Sequence, residues 1–150
     1  MTQGVWVLVV AVVLAVAFGG YRAARDGRFR GTRRLRGIRR LRGTPGADSS
    51  AGPVAGEGFE LGDRATLLQF SSTFCAPCRA TRRVLSDVAE LAPGVRHIEV
   101  DAGDHLELVR RLGILRTPTT LVLDANGREV SRASGAPTKQ QVLASLSPLV

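Results

Sequence analysis

The sequence has only two cysteines, Cys75 and Cys78, among its 150 residues. Because they lie three positions apart, a bond between them closes a loop too small to restrict the unfolded chain much. The scarcity of cysteine therefore excludes the disulfide framework that is typical of small secreted domains. Redox chemistry, or half of a metal site, remains as the function of such a closely spaced pair.

Acidic residues are almost missing from the first 42 positions, where ten arginines accompany a single acid, Asp26. The remaining positions hold eleven basic and twelve acidic residues, so the net charge of +8 arises near the N-terminus. The basic charge therefore gives no indication that the rest of the chain binds nucleic acid. Within 22–42, Phe29 is the only aromatic residue, and we expect no nucleic-acid partner there either.

Charged side chains are absent before Arg22, and an apolar run occupies Val5–Phe18. A helix from Gly4 to Tyr21 would be about 27 Å long, which is enough to cross the hydrocarbon core of a bilayer. Residues 1–21 are therefore predicted to form a single transmembrane anchor. A cleaved signal peptide is the competing interpretation, because the Ala15–Ala17 segment is similar to a small-residue cleavage site.

Residues 22–42 form an arginine-rich juxtamembrane segment. Because positive charge resists translocation and none precedes the apolar run, we expect this segment and the following domain to be cytoplasmic. Leu35, Ile38 and Leu41 recur every three positions, which would line one side of a helix lying on anionic membrane lipids. A disordered segment that only sets the topology is the alternative.

Residues 43–58, rich in glycine, proline and small residues, are predicted to be a flexible linker.

Residues 59–150 alternate between strand and helix patterns in the order β-α-β-α-β-β-α. The predicted elements, in chain order, are Ala65–Ser71, Pro77–Leu91, Val95–Val100, Leu106–Leu112, Thr119–Leu123, Arg128–Ala133 and a last helix that begins near Thr138. Asn126-Gly127 is typical of a hairpin turn between the last two strands. Parallel strands joined by helices, followed by an antiparallel pair, predict an α/β domain with a mixed sheet flanked by helices.

The motif Cys75-Ala76-Pro77-Cys78 falls between a predicted strand and the start of a predicted helix. Free N–H groups and the positive end of the helix dipole favour a thiolate at such a position. Cys75 is therefore predicted to attack a substrate disulfide, and Cys78 to resolve the mixed disulfide that results. Half of a zinc site, completed by a second chain or by His97 and His105, is the alternative, but no second cysteine pair supports it, and we expect no metal.

Residues 60–150 carry four motifs in the order typical of one known family. The motifs are Phe70–Arg79, Ile98–Asp101, Leu112–Ile114 and Arg116–Thr119, and together they resemble the thioredoxin family. The resemblance implies a thioredoxin fold, a protein-disulfide reductase activity, and no cofactor besides a redox-active disulfide between the two cysteines. It further implies protein thiol or disulfide substrates and an upstream electron donor as partners.

The same resemblance implies a substrate-binding surface around the cysteines, formed by Phe74, Ala76, Pro77, Thr117 and Pro118. The Thr117–Pro118 bond would be cis, whereas an ordinary X-Pro turn is the alternative. Phe74 departs from the family, which usually has Trp before the first cysteine. The first strand and helix of the family are also shortened or absent, and the predicted linker stands in their place.

Two further departures concern proton transfer. Gln69 stands where the family has a buried Asp that helps to move the proton of the inner cysteine, and His97 replaces the Lys that partners it. A glutamine is no base at neutral pH, whereas His97 could transfer a proton, unless it is simply a half-buried strand residue.

The leading hypothesis is thus a membrane-tethered thiol–disulfide oxidoreductase. One alternative is an exported thioredoxin-like protein of envelope redox control or cytochrome maturation. The other is a binding module with little turnover, which the glutamine at position 69 favours.

Overall fold

The structure, a computed structural model, describes residues 2–25, 27–31, 52–54 and 56–150 of the chain. Helix α1 (Thr2–Arg25) comes first, and its stretch Gly4–Tyr21 is exposed along its whole length. This stretch is long and apolar enough to cross a membrane, and a signal sequence near an N-terminus would have the same properties. The membrane-surface helix expected around Leu35, Ile38 and Leu41 lies outside the described residues, as does the first part of the expected linker.

A mixed five-stranded sheet forms the centre of the domain. Its strands are β1 (Arg30–Gly31), β2 (Ala65–Ser71), β3 (Val95–Asp101), β4 (Thr119–Asp124) and β5 (Glu129–Ser134). They lie in the order β1-β5-β4-β2-β3, with β2 parallel to β3 and the other neighbours antiparallel. The predicted α/β fold class is confirmed, and the four longer strands begin and end within one residue of their predicted bounds.

Three helices cover the sheet, namely α2 (Ala76–Leu91), α3 (Leu106–Leu112) and α4 (Lys139–Leu146). Every residue of β2 is buried, because successive side chains point to opposite faces and both faces are covered. Two apolar clusters result. The cluster beneath α2 and α4 contains Ala65, Leu67, Leu85, Val88, Val122, Val142 and Leu146. The cluster beneath α3 contains Val54, Leu68, Phe70, Val100, Leu108, Leu112, Ile114, Leu121 and Leu123.

Short-range signals in the sequence set the ends of these helices. Pro77 lies in the first turn of α2, where its missing N–H costs no hydrogen bond. Gly113 ends α3 with a φ of 64°, a left-handed conformation that favours glycine. Thr138 and Gln141 form a reciprocal capping box at the start of α4. A backbone preference or a capping hydrogen bond in the sequence therefore explains one end of each of these helices.

Two stretches that the sequence places outside the domain lie against it. Arg30–Gly31, within the arginine-rich segment, pair with β5 as a fifth strand. Val54, within the expected flexible linker, is fully buried in the α3-side cluster, and the Gly52 N–H donates to the Asn126 carbonyl at 2.8 Å. Within the expected linker, residues 52–54 are therefore attached to the core by one apolar side chain, whereas residues 56–58 are exposed.

Candidate active site

Strands β2, β4 and β5 bring three chain segments to one end of the sheet. Ser71 is the last residue of β2, Thr119 is the first of β4, and Ser134 is the last of β5. Phe70 pairs with Thr119, and Thr119 pairs with Ser134. The loop from β2 to α2, which carries Cys75, therefore lies beside the loop that enters β4. We call this end of the sheet, marked by Ser71, Thr119 and Ser134, the cysteine end.

Cys75 occupies the N-cap position of α2. Its backbone is extended, with φ −100° and ψ 95°, and its Sγ accepts a hydrogen bond from the Cys78 N–H at 3.1 Å. The Cys75 N–H in turn donates to the Ser72 carbonyl at 3.2 Å, which holds the preceding loop in place. An amide that points at this sulfur, together with the helix dipole, would stabilise negative charge on it.

The two sulfurs differ in their access to solvent. Cys75 is half-buried, whereas Cys78 is 2 % exposed. They form a disulfide across one turn of helix, with Cα atoms 5.2 Å apart. An incoming disulfide can therefore approach Cys75 more readily than Cys78, and Cys78 lies within bonding distance of Cys75. This arrangement suits attack by Cys75 and resolution by Cys78.

Arg79 and Arg82 are the first charged side chains of α2 after the cysteine pair. The first turn of α2 has no acidic residue, and Arg79 is exposed. Arg82 forms an ion pair with Glu99 of β3, and this hydrogen bond and charge raise the pKa of the guanidinium. The Glu99 carboxylate thus offsets the charge of Arg82, whereas the Cys78 N–H contributes a dipole directed at Cys75 Sγ.

The loop before β4 completes the cysteine end. The Thr117–Pro118 bond is cis, as the resemblance implies, and Pro118 is buried. The hydroxyls of Thr117 and Ser72 lie 3.0 Å apart in a hydrogen bond, which joins this loop to the cysteine loop. The Pro118 carbonyl accepts the Gly135 N–H at 2.8 Å. These contacts hold the predicted substrate-binding residues Thr117 and Pro118 beside the cysteine pair.

The surface around the cysteines is apolar and open. Phe74 is 97 % exposed, and Ala76 and Pro77 are exposed beside it. Leu115, in the loop before the cis proline, is 95 % exposed and was not predicted from the sequence. The sequence marks it only as an apolar residue directly before the motif Arg116–Thr119. Large apolar side chains so fully exposed on two loops that are hydrogen-bonded to each other favour contact with another protein.

Gln69 and His97 are hydrogen-bonded to each other, and Gln69 contacts the backbone of Cys78. Gln69 is fully buried, and its Nε2 donates to the Cys78 carbonyl at 3.0 Å. Its Oε1 lies 3.2 Å from His97 Nε2, and His97 Nδ1 lies 3.1 Å from the Ser86 hydroxyl. The structure thus places Gln69 on the Cys78 carbonyl and His97 on Gln69, one hydrogen bond further from Cys78. It adds Ser86, which sequence reasoning missed because its contact depends on helix–strand packing.

Burial lowers the pKa of His97. The carboxylate of Glu99 acts in the opposite direction, and the guanidinium of Arg82 lowers this pKa further. Desolvation is the largest of the three effects, so the imidazole is neutral at pH 7. Because Gln69 Oε1 can only accept, His97 Nε2 carries the proton, and Nδ1 accepts from Ser86.

Within the described ranges, no group of three or more His, Cys, Asp or Glu side chains lies close enough to hold a metal ion. His105, the second candidate zinc ligand, directs Nδ1 at the Asp101 carbonyl, 3.2 Å away. His97 is engaged by Gln69 and Ser86. The zinc alternative therefore finds no ligand set among these residues.

Residues 59–148 match the family model described as "Thioredoxin-like domain". The chain is 32 % identical over 90 residues to a thioredoxin of Alicyclobacillus acidocaldarius, covering 59 % of this chain and 85 % of that relative. It is also 32 % identical over 89 residues to a thioredoxin of Mycobacterium bovis, covering 59 % and 76 %.

Solved thioredoxin structures share the fold. A thioredoxin variant of Halobacterium salinarum superposes with a TM-score of 0.54 at 18 % identity, covering 58 % of this chain and 75 % of that one. The thioredoxin of Trypanosoma brucei brucei gives 0.51 at 25 % identity, covering 58 % and 75 %. The match to the family model spans more than half of the chain, and it includes both cysteines and the cis proline. The chain therefore belongs to the thioredoxin-like family.

Proposed function

We propose that the protein is a membrane-tethered thiol–disulfide oxidoreductase that reduces disulfides of other proteins. The observation that carries the proposal is the asymmetry of the cysteine pair. Cys75 is half-buried at the N-cap of α2 with an amide directed at its sulfur, whereas Cys78 is buried one turn along. One sulfur is thus suited to receive a substrate and the other to release it.

The proposed reaction has two exchange steps. The Cys75 thiolate attacks one sulfur of the substrate disulfide, a mixed disulfide forms, and the other substrate sulfur leaves as a thiolate. The Cys78 thiolate then attacks Cys75 Sγ, the second substrate thiolate leaves, and the Cys75–Cys78 disulfide closes. The substrate gains two electrons, which the cysteine pair loses. A thiol reductant, as upstream electron donor, must then restore the dithiol.

Apolar contacts would hold the substrate during these steps. Phe74 and Leu115 offer exposed apolar surface on the two loops that flank the cysteine pair. Ala76 and Pro77 are exposed in the cysteine loop, and Thr117 joins the loop of the cis proline to it through the Ser72 hydroxyl. A substrate segment laid over the cysteine end would therefore contact both loops. The relatives named thioredoxin support protein disulfides as the substrate class.

The tether is proposed to be α1, with the domain on the cytoplasmic side. The apolar stretch Gly4–Tyr21 supports the span, and the ten arginines of 22–42 support the orientation, because positive charge is retained in the cytoplasm. The same arginines are proposed to bind anionic lipid headgroups.

A reduction assay tests the enzymatic part of the proposal. The full chain in detergent micelles should reduce insulin with dithiothreitol as the electron source, and Cys75→Ser should fall to the uncatalysed rate. Cys78→Ser should instead accumulate a mixed disulfide through Cys75, because the resolving thiol is gone. Arg79→Ser, on the exposed face of α2, is the matched control and should keep its rate.

A binding module with little turnover is the second candidate, and Gln69 is the observation that favours it. The buried side chain that donates to the Cys78 carbonyl is an amide, which cannot accept a proton at neutral pH. A full chain that binds a disulfide-containing protein but does not reduce insulin above the Cys75→Ser rate would establish this second function and exclude the first.

A further inference from the structure

The chain that leaves α1 docks at the cysteine end of the domain. Helix α1 ends at Arg25, and the Gly27 N–H donates to the Ser134 carbonyl at 2.9 Å. From there β1 runs antiparallel to β5, with Arg30 opposite Arg132 and Gly31 opposite Ser131, so it leads away from the cysteine end. The first point of contact after the helix is therefore the cysteine end itself.

The contact at Gly27 is close enough to require glycine. Its φ is +75°, and an added Cβ would lie 2.2 Å from the Ala136 carbonyl oxygen. Only one residue, Asp26, separates Arg25 from Gly27, and two residue-to-residue steps of extended chain span about 7 Å. The end of α1 is thus held within a short reach of Ser134, and a side chain at position 27 would oppose the docking.

A short path of hydrogen bonds links this docking point to the loop that carries the cis proline. The Ser134 carbonyl, which accepts the Gly27 N–H, also accepts Arg116 Nη2 at 2.9 Å. The next residue, Gly135, donates its N–H to the Pro118 carbonyl at 2.8 Å. The docked segment and the cis-proline loop are therefore neighbours at the same end of the sheet.

The path continues to the reactive sulfur. Thr117, which precedes the cis proline, shares a hydrogen bond of 3.0 Å with the Ser72 hydroxyl. The Ser72 carbonyl accepts the Cys75 N–H at 3.2 Å. Phe74 and Leu115, both almost fully exposed, lie in the same two loops. The C-terminal end of α1 and the cysteine pair therefore lie at the same end of the domain. If α1 spans the bilayer, the cysteine end is the end of the domain that is attached to the membrane-spanning helix.

We propose that the protein holds its cysteine end towards the bilayer, so that its substrates are disulfides of membrane proteins located close to the membrane surface. The inference rests on the proposed function, both for the span and for the exchange reaction. The electron balance is the one given above, with the Cys75–Cys78 dithiol oxidised as the substrate disulfide is reduced. A thiol reductant restores the pair. Membrane-proximal segments that are apolar match the exposed Phe74 and Leu115.

Two model substrates test this geometry. Both are synthetic peptides with one membrane-spanning apolar stretch and an intramolecular disulfide. In the near peptide the disulfide lies two residues from the apolar stretch. In the far peptide a rigid spacer of about 40 Å separates the disulfide from the apolar stretch. The reduced full chain is reconstituted with either peptide in liposomes, and single-turnover rates are compared with the rate on insulin. We expect the near disulfide to be reduced at least fivefold faster than the far one.

Two glycines of the docked segment provide the variant and its control. Gly27→Ala should lower the near-to-far ratio towards one while insulin reduction stays unchanged, because the docking is lost and the cysteines are untouched. Gly31→Ala, whose Cβ meets no atom within 4 Å, should keep the ratio of the parent chain. Equal rates on the near and far disulfides by the parent chain, with insulin reduced, overturn this inference alone. Failure to reduce insulin overturns the proposed function.

A fluorescence measurement tests the orientation without any change at Gly27. In a Cys75→Ser, Cys78→Ser chain, a fluorophore is placed at Lys139→Cys or at Leu91→Cys, both exposed positions. Lys139 begins α4 shortly after Ser134, whereas Leu91 ends α2, about 24 Å from its start near Cys75. Lipids with a nitroxide headgroup should quench the Lys139 site more strongly. Equal quenching, or stronger quenching at Leu91, overturns the inference.

Discussion

At the residue scale, Gln69 decides how Cys78 can lose its proton. Gln69 Nε2 donates to the Cys78 carbonyl, and its Oε1 accepts from His97 Nε2, so neither atom can take a proton from the thiol. The remaining lone pair of His97 is directed at Ser86, away from Cys78. Among the described residues around Cys78, this path therefore supplies hydrogen bonds but no base, and resolution depends on a proton acceptor from solvent or substrate.

Gln69→Asp should therefore speed the resolving step. Burial raises the pKa of a carboxyl, so an Asp at this position can accept a proton near neutral pH. We expect the decay of a preformed mixed disulfide on Cys75 to become about tenfold faster near pH 7, and its rise with pH to begin at lower pH. Quenched-flow measurements of the mixed disulfide from pH 6 to 9 check this.

Gln69→Asn is the matched control, because it has the shape of Asp without its basicity. Equal acceleration in both variants would mean that the shorter side chain, not a base, changes the rate. No acceleration by Asp would show that the proton of Cys78 does not limit resolution.

His97 should make the stability of the fold depend on pH. Burial lowers its pKa below the unfolded value of about 6.5, so between the two pKa values the unfolded chain binds more protons than the folded one. Its contribution is fully present above about pH 6.5 and is lost as the pH falls towards the folded pKa. Urea midpoints of the oxidised chain should decrease from pH 7.5 to 5.5, and the decrease should be smaller in His97→Gln. An equal decrease in both chains would contradict this assignment.

At the scale of single elements, most of the domain could be predicted because its signals are local. Pro77, Gly113, Asn126-Gly127 and Thr138 mark turns and helix ends through their own backbone preferences. The cysteine motif and the cis proline could likewise be read from short stretches. Strand β1 could not be predicted, because two residues carry no periodicity and only pairing with β5 defines them.

Buried positions outside regular elements escaped prediction for a related reason. Val54 lies among glycines, prolines and small residues, a composition typical of a linker, yet its side chain fills the core beneath α3. Ser86 and Leu115 gain their roles only when a helix meets a strand or a loop meets another loop. Composition describes the average character of a segment, whereas one buried residue is enough to attach that segment to the core.

Val54→Ala should destabilise the domain by about 2 kcal/mol, because it removes buried methyl groups and leaves a cavity. Pulse proteolysis of the full chain in micelles, over a urea series, measures the change. The same substitution at the partly exposed C-terminal Val150 is the control and should change stability by less than about 0.5 kcal/mol. Equal effects at both positions would show that Val54 does not attach residues 52–54 to the core.

At the scale of the whole molecule, the chain combines an apolar helix, an arginine-rich segment and a nearly neutral redox domain. The acidic and basic residues after position 42 almost balance, so the domain itself has no preference for either side of a membrane. Orientation would then be set by the ten arginines that follow α1 and by the lack of positive side chains before it.

The half-buried thiol of Cys75 can report this orientation. In intact cells treated with a permeant reductant, a membrane-impermeant maleimide should label the protein only after permeabilisation, since the domain is proposed to be cytoplasmic. Cys75→Ser should remove most of the label, because Cys78 is buried.

Arginines placed before the apolar run, with Thr2→Arg and Gln3→Arg, should weaken the charge difference across the span. A fraction of the chains should then be labelled in intact cells. Labelling of the parent chain in intact cells would instead favour the exported alternative. A cysteine end that faces the bilayer would then meet disulfides on the outer surface, because the docking of Gly27 on Ser134 does not depend on which side the domain occupies.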